Sequence, residues 1–337
     1  MNRREFLAAI AAAPVAAAPV ARCQVGFTPD SFPVSRPART AIEFLDYAYK
    51  AGGGGVQASL ASFEPDYLRK VRRRTEELGM YLEVLADPPK EEDLPRFEAT
   101  VKAAREAGAE CVRTACLMGR RYETFETLDQ WKAFNTDFRA RIERAARVAE
   151  RQRFPIGVEN HKDWTVDEMV PLLKQFGNEY LGVCLDFGNN MSLLDDPEET
   201  VDRLAPFVIN THIKDMGVQE FEDGFLLAEV PLGQGVLNLK RIVGVLRNVR
   251  PKVKFSLDMY TRNPLKIACL TGRYWVTFPE RNGIFLARTL RMVRSNKPAK
   301  PFPMLDSMDQ AGKVKLEADN VAQCLAYARE ELGLRLT

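Results

Sequence analysis

Residues 154–186, FPIGVENHKDWTVDEMVPLLKQFGNEYLGVCLD, decide the fold because they contain a strand, a helix and a second strand in succession. The apolar runs Pro155–Glu159 and Leu181–Leu185 have the composition of buried strands. Between them, Thr165–Phe176 places apolar side chains at helical spacing opposite a charged face. A strand, a crossover helix and a second strand form the repeating unit of a parallel sheet.

The same unit recurs along the chain and predicts one helix after each of eight strands. The predicted strands are Val25–Phe27, Gly55–Leu60, Tyr81–Leu85, Cys111–Leu117, Pro155–Glu159, Leu181–Leu185, Phe207–His212 and Lys254–Asp258. The predicted helices are Ala38–Ala51, Pro65–Leu78, Glu91–Ala107, Leu128–Gln152, Thr165–Phe176, Pro197–Leu204, Leu239–Val249 and about Asn282–Val293. Eight such units close a barrel, so we predict an α/β fold, a (β/α)8 TIM barrel.

An open, doubly wound sheet is the alternative fold. It is disfavoured because no strand is followed by a GxGxxG or GxxxxGK[ST] turn, and the glycine run 52–55 precedes a strand. We predict a single domain over residues 22–337, in which Val314–Leu332 forms an extra C-terminal helix on the outside of the barrel.

The first 21 residues have the order of a signal peptide. Arg3 and Arg4 precede Phe6, Leu7 and an alanine-rich apolar stretch that ends near Ala21. The RREFL core resembles a twin-arginine export signal. We therefore predict export to the periplasm, with the cleavage point left open, and a mature protein that is soluble.

The composition excludes several classes of protein. With 48 Lys+Arg against 46 Asp+Glu, the chain lacks the basic excess of a nucleic-acid-binding protein. Beyond the signal, no stretch approaches the roughly 18 apolar residues that a membrane-spanning helix needs. The six cysteines form no CxxC pair and are too sparse for a disulfide framework, so we interpret them as small buried residues.

Four of the predicted strands end on side chains that bind metals. Because parallel strands lie about 4.8 Å apart, rim side chains of neighbouring strands can reach one point inside the barrel mouth. Carboxylates gathered there repel each other unless a cation lies among them. The predicted ligands are Glu159, Asp186, His212 and Asp258. Three carboxylates with one imidazole favour Mn²⁺ or Mg²⁺, and Co²⁺ and Zn²⁺ are alternative occupants of the site.

The segments VENH (158–161), CLDFGN (184–189), THIKD (211–215) and PLGQGVLNLKRIVGVL (231–246) follow each other on consecutive units. In this order they resemble the xylose-isomerase-like sugar phosphate isomerase/epimerase superfamily over roughly residues 25–295. The resemblance implies one divalent metal held by a Glu, an Asp, a His and a final Glu. The corresponding residues are Glu159, Asp186, His212 and, in place of the final Glu, Asp258. It also implies that the first and last carboxylates move the proton.

Three positions depart from the pattern of the ketose epimerases in this superfamily. Asp258 is one methylene shorter than the usual Glu. Asn189 stands where a substrate-binding His is common, and Lys214 and Asp215 follow His212 where an Arg is expected. The resemblance therefore covers the metal site better than the substrate site.

The predicted chemistry is enediolate formation on a sugar whose carbonyl is polarised by the metal. Glu159 and Asp258 on opposite faces would give an epimerase, and a single base would give an isomerase. A leaving group one carbon away would instead give a lyase or dehydratase acting on an oxidised sugar or glycoside. A third alternative is a sugar-binding barrel without catalysis. A nuclease with several zinc ions is disfavoured because the chain has only two histidines.

The remaining expectations concern the substrate. We predict that His161 and Lys214 bind a small sugar or glycoside, whereas Gln57, Glu83 and Arg113 are as consistent with structural pairing. Export favours an unphosphorylated substrate. The long aromatic segment 263–280 is consistent with a lid, with a patch that covers the barrel, or with a contact in a homo-oligomer.

Overall fold

The structure, a computed structural model, describes residues 21–336. Its strands are β1 Gly26–Phe27, β2 Gly55–Ala58, β3 Tyr81–Leu85, β4 Cys111–Thr114, β5 Ile156–Glu159, β6 Leu181–Asp186, β7 Val208–Ile213, β8 Asp215–Phe221, β9 Gly224–Val230, β10 Phe255–Leu257 and β11 Leu265–Ile267. The predicted signal peptide, residues 1–21, lies outside the described residues except for Ala21.

Eight of these strands form a closed barrel in which neighbouring strands are parallel. The order around the barrel is β1, β10, β7, β6, β5, β4, β3, β2, and β2 pairs again with β1. All eight predicted strands are present, so the predicted TIM barrel is confirmed.

Helices cover the barrel from outside. They are α1 Ala41–Lys50, α2 Pro65–Glu77, α3 Leu94–Glu106, α4 Arg121–Thr124, α5 Leu128–Gln152, α6 Val166–Phe176, α7 Pro197–Leu204, α8 Leu239–Val249, α9 Gly272–Trp275, α10 Gly283–Ser295 and α11 Gln310–Glu330. Capping boxes begin three of the long helices, with Thr40 and Glu43 at α1 as the first example. The predicted C-terminal helix is α11, whose Asn320 side chain donates to Thr261 after β10.

A tyrosine fills the lower part of the barrel interior. The hydroxyl of Tyr81 accepts from the backbone of Gly26 at 3.0 Å and donates to the carbonyl of Phe255 at 2.9 Å. A Cβ atom at Gly26 or Gly55 would lie within 2.4 Å of the Tyr81 side chain, so both positions require glycine. The interior is thus packed at this level.

A three-stranded antiparallel sheet, β11-β9-β8, stands beside the mouth. Only Lys214 separates its first strand from β7, and the sheet was not predicted from the sequence. The sequence signal was the Asp223-Gly224 pair, a common turn dipeptide, and Gly224 takes a φ of 150° at the turn. Part of the aromatic segment 263–280 forms strand β11 of this sheet. The rest packs on the barrel through Tyr274, whose hydroxyl donates to the carbonyl of Ser192 at 2.8 Å.

All six cysteines are free and buried, as predicted. Within residues 21–336, the helices are too short or too polar to cross a membrane.

Candidate metal centre

Three of the four predicted ligands meet at the mouth of the barrel. Glu159 ends β5, Asp186 ends β6, and His212 lies opposite Asp186 in the register of β6 and β7. Each offers one ligand atom, and these atoms all lie within 4.8 Å of one another. All three residues are buried, with at most 2% of their surface exposed.

A polar layer just below the triad orients the imidazole of His212. Its Nε2 lies 2.9 Å from Oε1 of Gln57, whose Nε2 donates to Oε2 of Glu83 at 2.6 Å. Because Glu83 fixes the amide, Gln57 presents an acceptor, so Nε2 of His212 carries the proton. The other nitrogen, Nδ1, has no hydrogen-bond partner and lies 3.5 Å from Glu159 Oε1 and 3.7 Å from Asp186 Oδ2.

Backbone and side-chain contacts hold Asp186 rigidly. Its Oδ1 accepts from the backbone N–H groups of Gly188 and Asn189, both at 2.9 Å. Its own backbone N–H donates to Oδ1 of Asn160 at 2.7 Å. The second carboxylate oxygen, Oδ2, lies 3.7 Å from Nδ1 of His212 and forms an ion pair with Lys214.

Asp258, the fourth predicted ligand, lies across Lys214 from the triad. Its Oδ2 is paired with the Lys214 ammonium, and its Oδ1 accepts from Thr28 Oγ1 at 3.1 Å. Lys214 Nζ also lies 2.9 Å from Asp186 Oδ2. The structure therefore gathers three predicted ligands directly and links the fourth to them through an ammonium group.

Lys214 was predicted as a substrate-binding residue, and the structure places it in a buried ion-pair network. Only 1% of its surface is exposed. Burial alone would lower the pKa of Lys214, but Asp186 and Asp258 outweigh burial and raise it above its usual value. Conversely, burial would raise the pKa of Asp186, but Lys214 and His212 hold it at about 2. These charges are therefore fixed around neutral pH.

His161, also predicted to bind substrate, lies in the loop after β5. It is half-buried, and its Nδ1 has no hydrogen-bond partner. Burial and the neighbouring Lys162 and Arg113 lower its pKa well below the usual range, so the ring is neutral. His161 is therefore an uncharged side chain at the mouth, and its Nδ1 is free to form a hydrogen bond.

Three further residues lie at Glu159 or next to it: Arg113 and Asn189, which were named from the sequence without an assigned role, and Lys162, which was not named. Arg113 pairs with Oε2 of Glu159, and Asn189 Nδ2 donates to Oε1 at 3.1 Å. Lys162 in turn donates to Oδ1 of Asn189. In the sequence, the only indication of a role for Arg113 is its place on a barrel strand near the mouth. Lys162 could have been selected as a candidate site residue because it directly follows His161.

The sequence matches the model of the xylose isomerase-like TIM barrel family over residues 45–275. The chain belongs to this family.

This xylose isomerase-like barrel is similar in sequence to one characterised enzyme and similar in fold to several solved structures. Over 210 residues it is 25% identical to the 3-oxo-isoapionate decarboxylase of Pectobacterium atrosepticum, which corresponds to 60% of this chain and 71% of that protein. Its fold resembles D-psicose 3-epimerase from Clostridium cellulolyticum H10, solved with D-tagatose. The two share 12% identity with a TM-score of 0.59, over 91% of this chain and 98% of the epimerase.

A third similar fold was solved with magnesium. This xylose isomerase-like protein from Mycobacterium smegmatis is 16% identical, with a TM-score of 0.55, and the match covers 80% of this chain and 98% of that one. In the present barrel, two carboxylates and Nδ1 of His212 face one point, and Nδ1 has no hydrogen-bond partner. Buried polar atoms without partners are rare in folded proteins, so this donor set fits a divalent cation.

Proposed function

We propose that this protein is a divalent-metal-dependent enzyme that acts on a keto sugar at the carbon next to the carbonyl, as an isomerase, an epimerase or a lyase. The observation that carries the proposal is the buried triad of Glu159, Asp186 and His212, in which Nδ1 of His212 has no hydrogen-bond partner. Membership of the xylose isomerase-like family and the sugar-processing relatives support the same reaction class.

The triad would hold the metal, with Mn²⁺ or Mg²⁺ favoured by the excess of oxygen ligands. When bound, such a cation would polarise the substrate carbonyl and stabilise the negative charge that develops on its oxygen. Lys214, buried beside Asp186, supplies a second, permanent positive charge near that point. Burial of the triad and of Lys214 excludes water from them and strengthens both effects.

Glu159 is the residue best placed to move the proton. It combines a position in the triad with contacts from Arg113 and Asn189 that fix its two oxygens. A base held in one orientation reacts with a substrate carbon that is presented at one face.

Asp258, predicted to act on the opposite face, has both oxygens engaged. Lys214 and Thr28 hold them, and Lys214 keeps the pKa of Asp258 below its usual value against the effect of burial. Glu159 is likewise held at both oxygens, by Arg113 and Asn189, so the difference between the two carboxylates is their position: Glu159 belongs to the triad and Asp258 does not. This observation favours reactions that need one base, which are aldose–ketose isomerisation and loss of a neighbouring group by a lyase, over two-base epimerisation.

Deuterium exchange would test the proposal. The metal-loaded protein is incubated in D₂O with free keto sugars and keto sugar acids, and NMR follows exchange at the carbon next to the carbonyl. We expect metal-dependent exchange that Glu159→Gln abolishes. The control, Glu110→Gln, makes the same change directly before β4, at the amino-terminal end of the barrel strands, where Glu110 contacts Lys254. Products of unchanged mass would identify an isomerase or epimerase, and fragments or lost water would identify a lyase.

Metal analysis separates catalysis from simple binding. If the protein retains one equivalent of metal but exchanges no proton on any substrate, the proposed enzyme is wrong and a sugar-binding barrel remains. If the protein with an intact triad binds no divalent metal, the metal site itself is wrong.

A further inference from the structure

Lys162 is a buried lysine that no carboxylate neutralises. It lies in the loop after β5, three residues beyond Glu159, and 3% of its surface is exposed. Among residues 21–336, the one hydrogen bond of its ammonium group goes to Oδ1 of Asn189. Two of its three donor positions therefore have no protein acceptor.

The nearby carboxylates are committed to other groups. Glu229 forms an ion pair with Arg262, whose Nε donates to Oε2 at 3.1 Å. Asp186 faces Lys214 at 2.9 Å and the backbone amides of its own loop. Among the charged groups that act on Lys162, the cations Lys214 and Arg262 lower its pKa, and the carboxylates Glu229 and Asp186, which raise it, are each paired with one of those cations.

An uncompensated ammonium group is costly inside a protein, and an apolar side chain of the same length would fill this space without that cost. Burial and the neighbouring Lys214 lower the pKa of Lys162 to about 7, which is the expected response of a cation without a partner. An incoming anion would remove the penalty.

Lys162 is close enough to the triad for one small molecule to contact both. Asn189 bridges them, since its Oδ1 accepts from Lys162 and its Nδ2 donates to Glu159 Oε1 at 3.1 Å. We propose that Lys162 binds an anionic substituent of the substrate, so that the substrate is a keto sugar acid and not a neutral sugar. This inference rests on the proposed function, because it assumes that the mouth receives a sugar.

A carboxylate fits better than a phosphate group. The subsite offers one unpaired ammonium, which balances a single negative charge, whereas a phosphate ester carries close to two charges and several more acceptor oxygens. The neighbouring cations Lys214 and Arg262 already have carboxylate partners. They would attract an anion, but they would not neutralise a second negative charge on it.

Calorimetry with matched sugars would test the inference. The probes are D-fructose, which is neutral, 2-keto-D-gluconate and D-fructuronate, which carry a carboxylate, and D-fructose 6-phosphate. All are titrated into Mn²⁺-loaded wild type, Lys162→Met and the control Lys266→Met, which changes an exposed lysine on β11.

We expect at least one keto acid to bind wild type at least tenfold more tightly than D-fructose. Lys162→Met should reduce that preference by roughly 10- to 100-fold, as for loss of a hydrogen bond to a charged group, and should leave the affinity for D-fructose unchanged. Lys266→Met should behave as wild type. If Lys162→Met fails to fold, Lys162→Gln serves instead, and Lys162→Arg should retain the preference.

Three results would overturn the inference. The first is equal affinity for the keto acids and D-fructose, and the second is a preference for the acids that persists in Lys162→Met. The third is a Lys162-dependent preference for D-fructose 6-phosphate alone, which would mean that the subsite binds a phosphoryl group and not a carboxylate. If the protein catalyses metal-dependent exchange on a neutral sugar and shows no preference for keto acids, this inference is rejected and the proposed function stands. If it binds keto acids through Lys162 but exchanges no proton, the proposed catalysis is rejected and the anion subsite stands.

Discussion

Nε2 of His212 lies 2.9 Å from Oε1 of Gln57, and this contact fixes which imidazole nitrogen faces the two triad carboxylates. Gln57 is held in turn by Glu83, with 2.6 Å between its Nε2 and the Glu83 carboxylate. A residue on β2 and one on β3 therefore set the proton position on His212, a predicted metal ligand on β7. Outer partners of this kind orient metal-binding histidines and make them better ligands.

Gln57→Leu should weaken metal binding because it removes the acceptor that holds Nε2–H. We expect a loss of about 10- to 100-fold in Mn²⁺ affinity, measured by calorimetry on protein stripped of metal. Gln24→Leu, at an exposed glutamine near the start of β1, is the matched control and should bind as wild type. An unchanged affinity in Gln57→Leu would show that His212 does not need this orientation to bind the metal.

Most of the barrel could be predicted because each βα unit carries its own signal. The bounds predicted for Leu128–Gln152, Pro197–Leu204 and Leu239–Val249 are those of α5, α7 and α8. Local periodicity and the capping residues determine these helices, and both are readable over a few turns. The meeting of Glu159 and Asp186 followed from the parallel sheet alone, since neighbouring strands end at one rim.

Side-chain partners across the barrel could not be predicted in the same way. Lys214 was expected to contact substrate, but its partner Asp258 is 44 positions away, and no local pattern links them. The same holds for Arg113 and Glu159, which are 46 positions apart. Such pairs depend on the angle at which long side chains enter the mouth, which strand assignments do not determine.

Lys214→Met should destabilise the metal-free protein strongly. It leaves Asp186 and Asp258 buried together without their shared cation, for which we expect a loss of roughly 3–5 kcal/mol in the free energy of unfolding. Urea denaturation measures the loss. The double variant Lys214→Met/Asp258→Asn should recover part of it, because one of the two unpaired charges is gone. Equal stability of both variants would mean that the two carboxylates do not interact.

Asp215 explains why the loop 231–237 keeps its shape. Its Oδ2 accepts from the backbone amides of Gly233 and Gly235, both at 2.9 Å, and its Oδ1 from those of Met216 and Leu237. The PLGQGV segment that marked the resemblance is thus a loop built around one buried carboxylate.

Asp215→Asn should lose two of these hydrogen bonds, since an amide has a single acceptor oxygen and its NH₂ group would face backbone N–H groups. We expect a decrease of about 2–3 kcal/mol in the free energy of unfolding, measured by urea denaturation. The matched control is Asp223→Asn in the exposed turn between β8 and β9. A decrease equal to that of the control would show that the loop does not depend on Asp215.

The N-terminal signal can be tested apart from the fold. Arg3→Lys/Arg4→Lys keeps the charge but removes the arginine pair, so in a bacterium with the twin-arginine pathway we expect the variant in the cytoplasmic fraction and wild type in the periplasmic fraction. Fractionation and immunoblotting measure this. Arg36→Lys/Arg39→Lys, at two exposed arginines, should be exported normally. Cytoplasmic wild-type protein would contradict the proposed periplasmic location.

Lys162 should make stability depend on pH in the metal-free protein. Its folded-state pKa of about 7, lowered by burial and by Lys214, is below the usual lysine value of 10.5. Between these two values the unfolded chain binds a proton that the folded chain does not, so the contribution of Lys162 to stability rises with pH. Below about pH 7 both states are protonated, and the full cost of burying the charge applies.

Wild type should therefore gain roughly 2 kcal/mol relative to Lys162→Met as the pH rises from 7 to 9. The measurement is urea denaturation of both proteins at several pH values, so that the other lysines cancel in the difference. Lys266→Met, at an exposed lysine, should show no such change. A difference that stays constant or falls with pH would mean that Lys162 keeps an ordinary pKa in the fold, and that its charge is compensated inside the mouth.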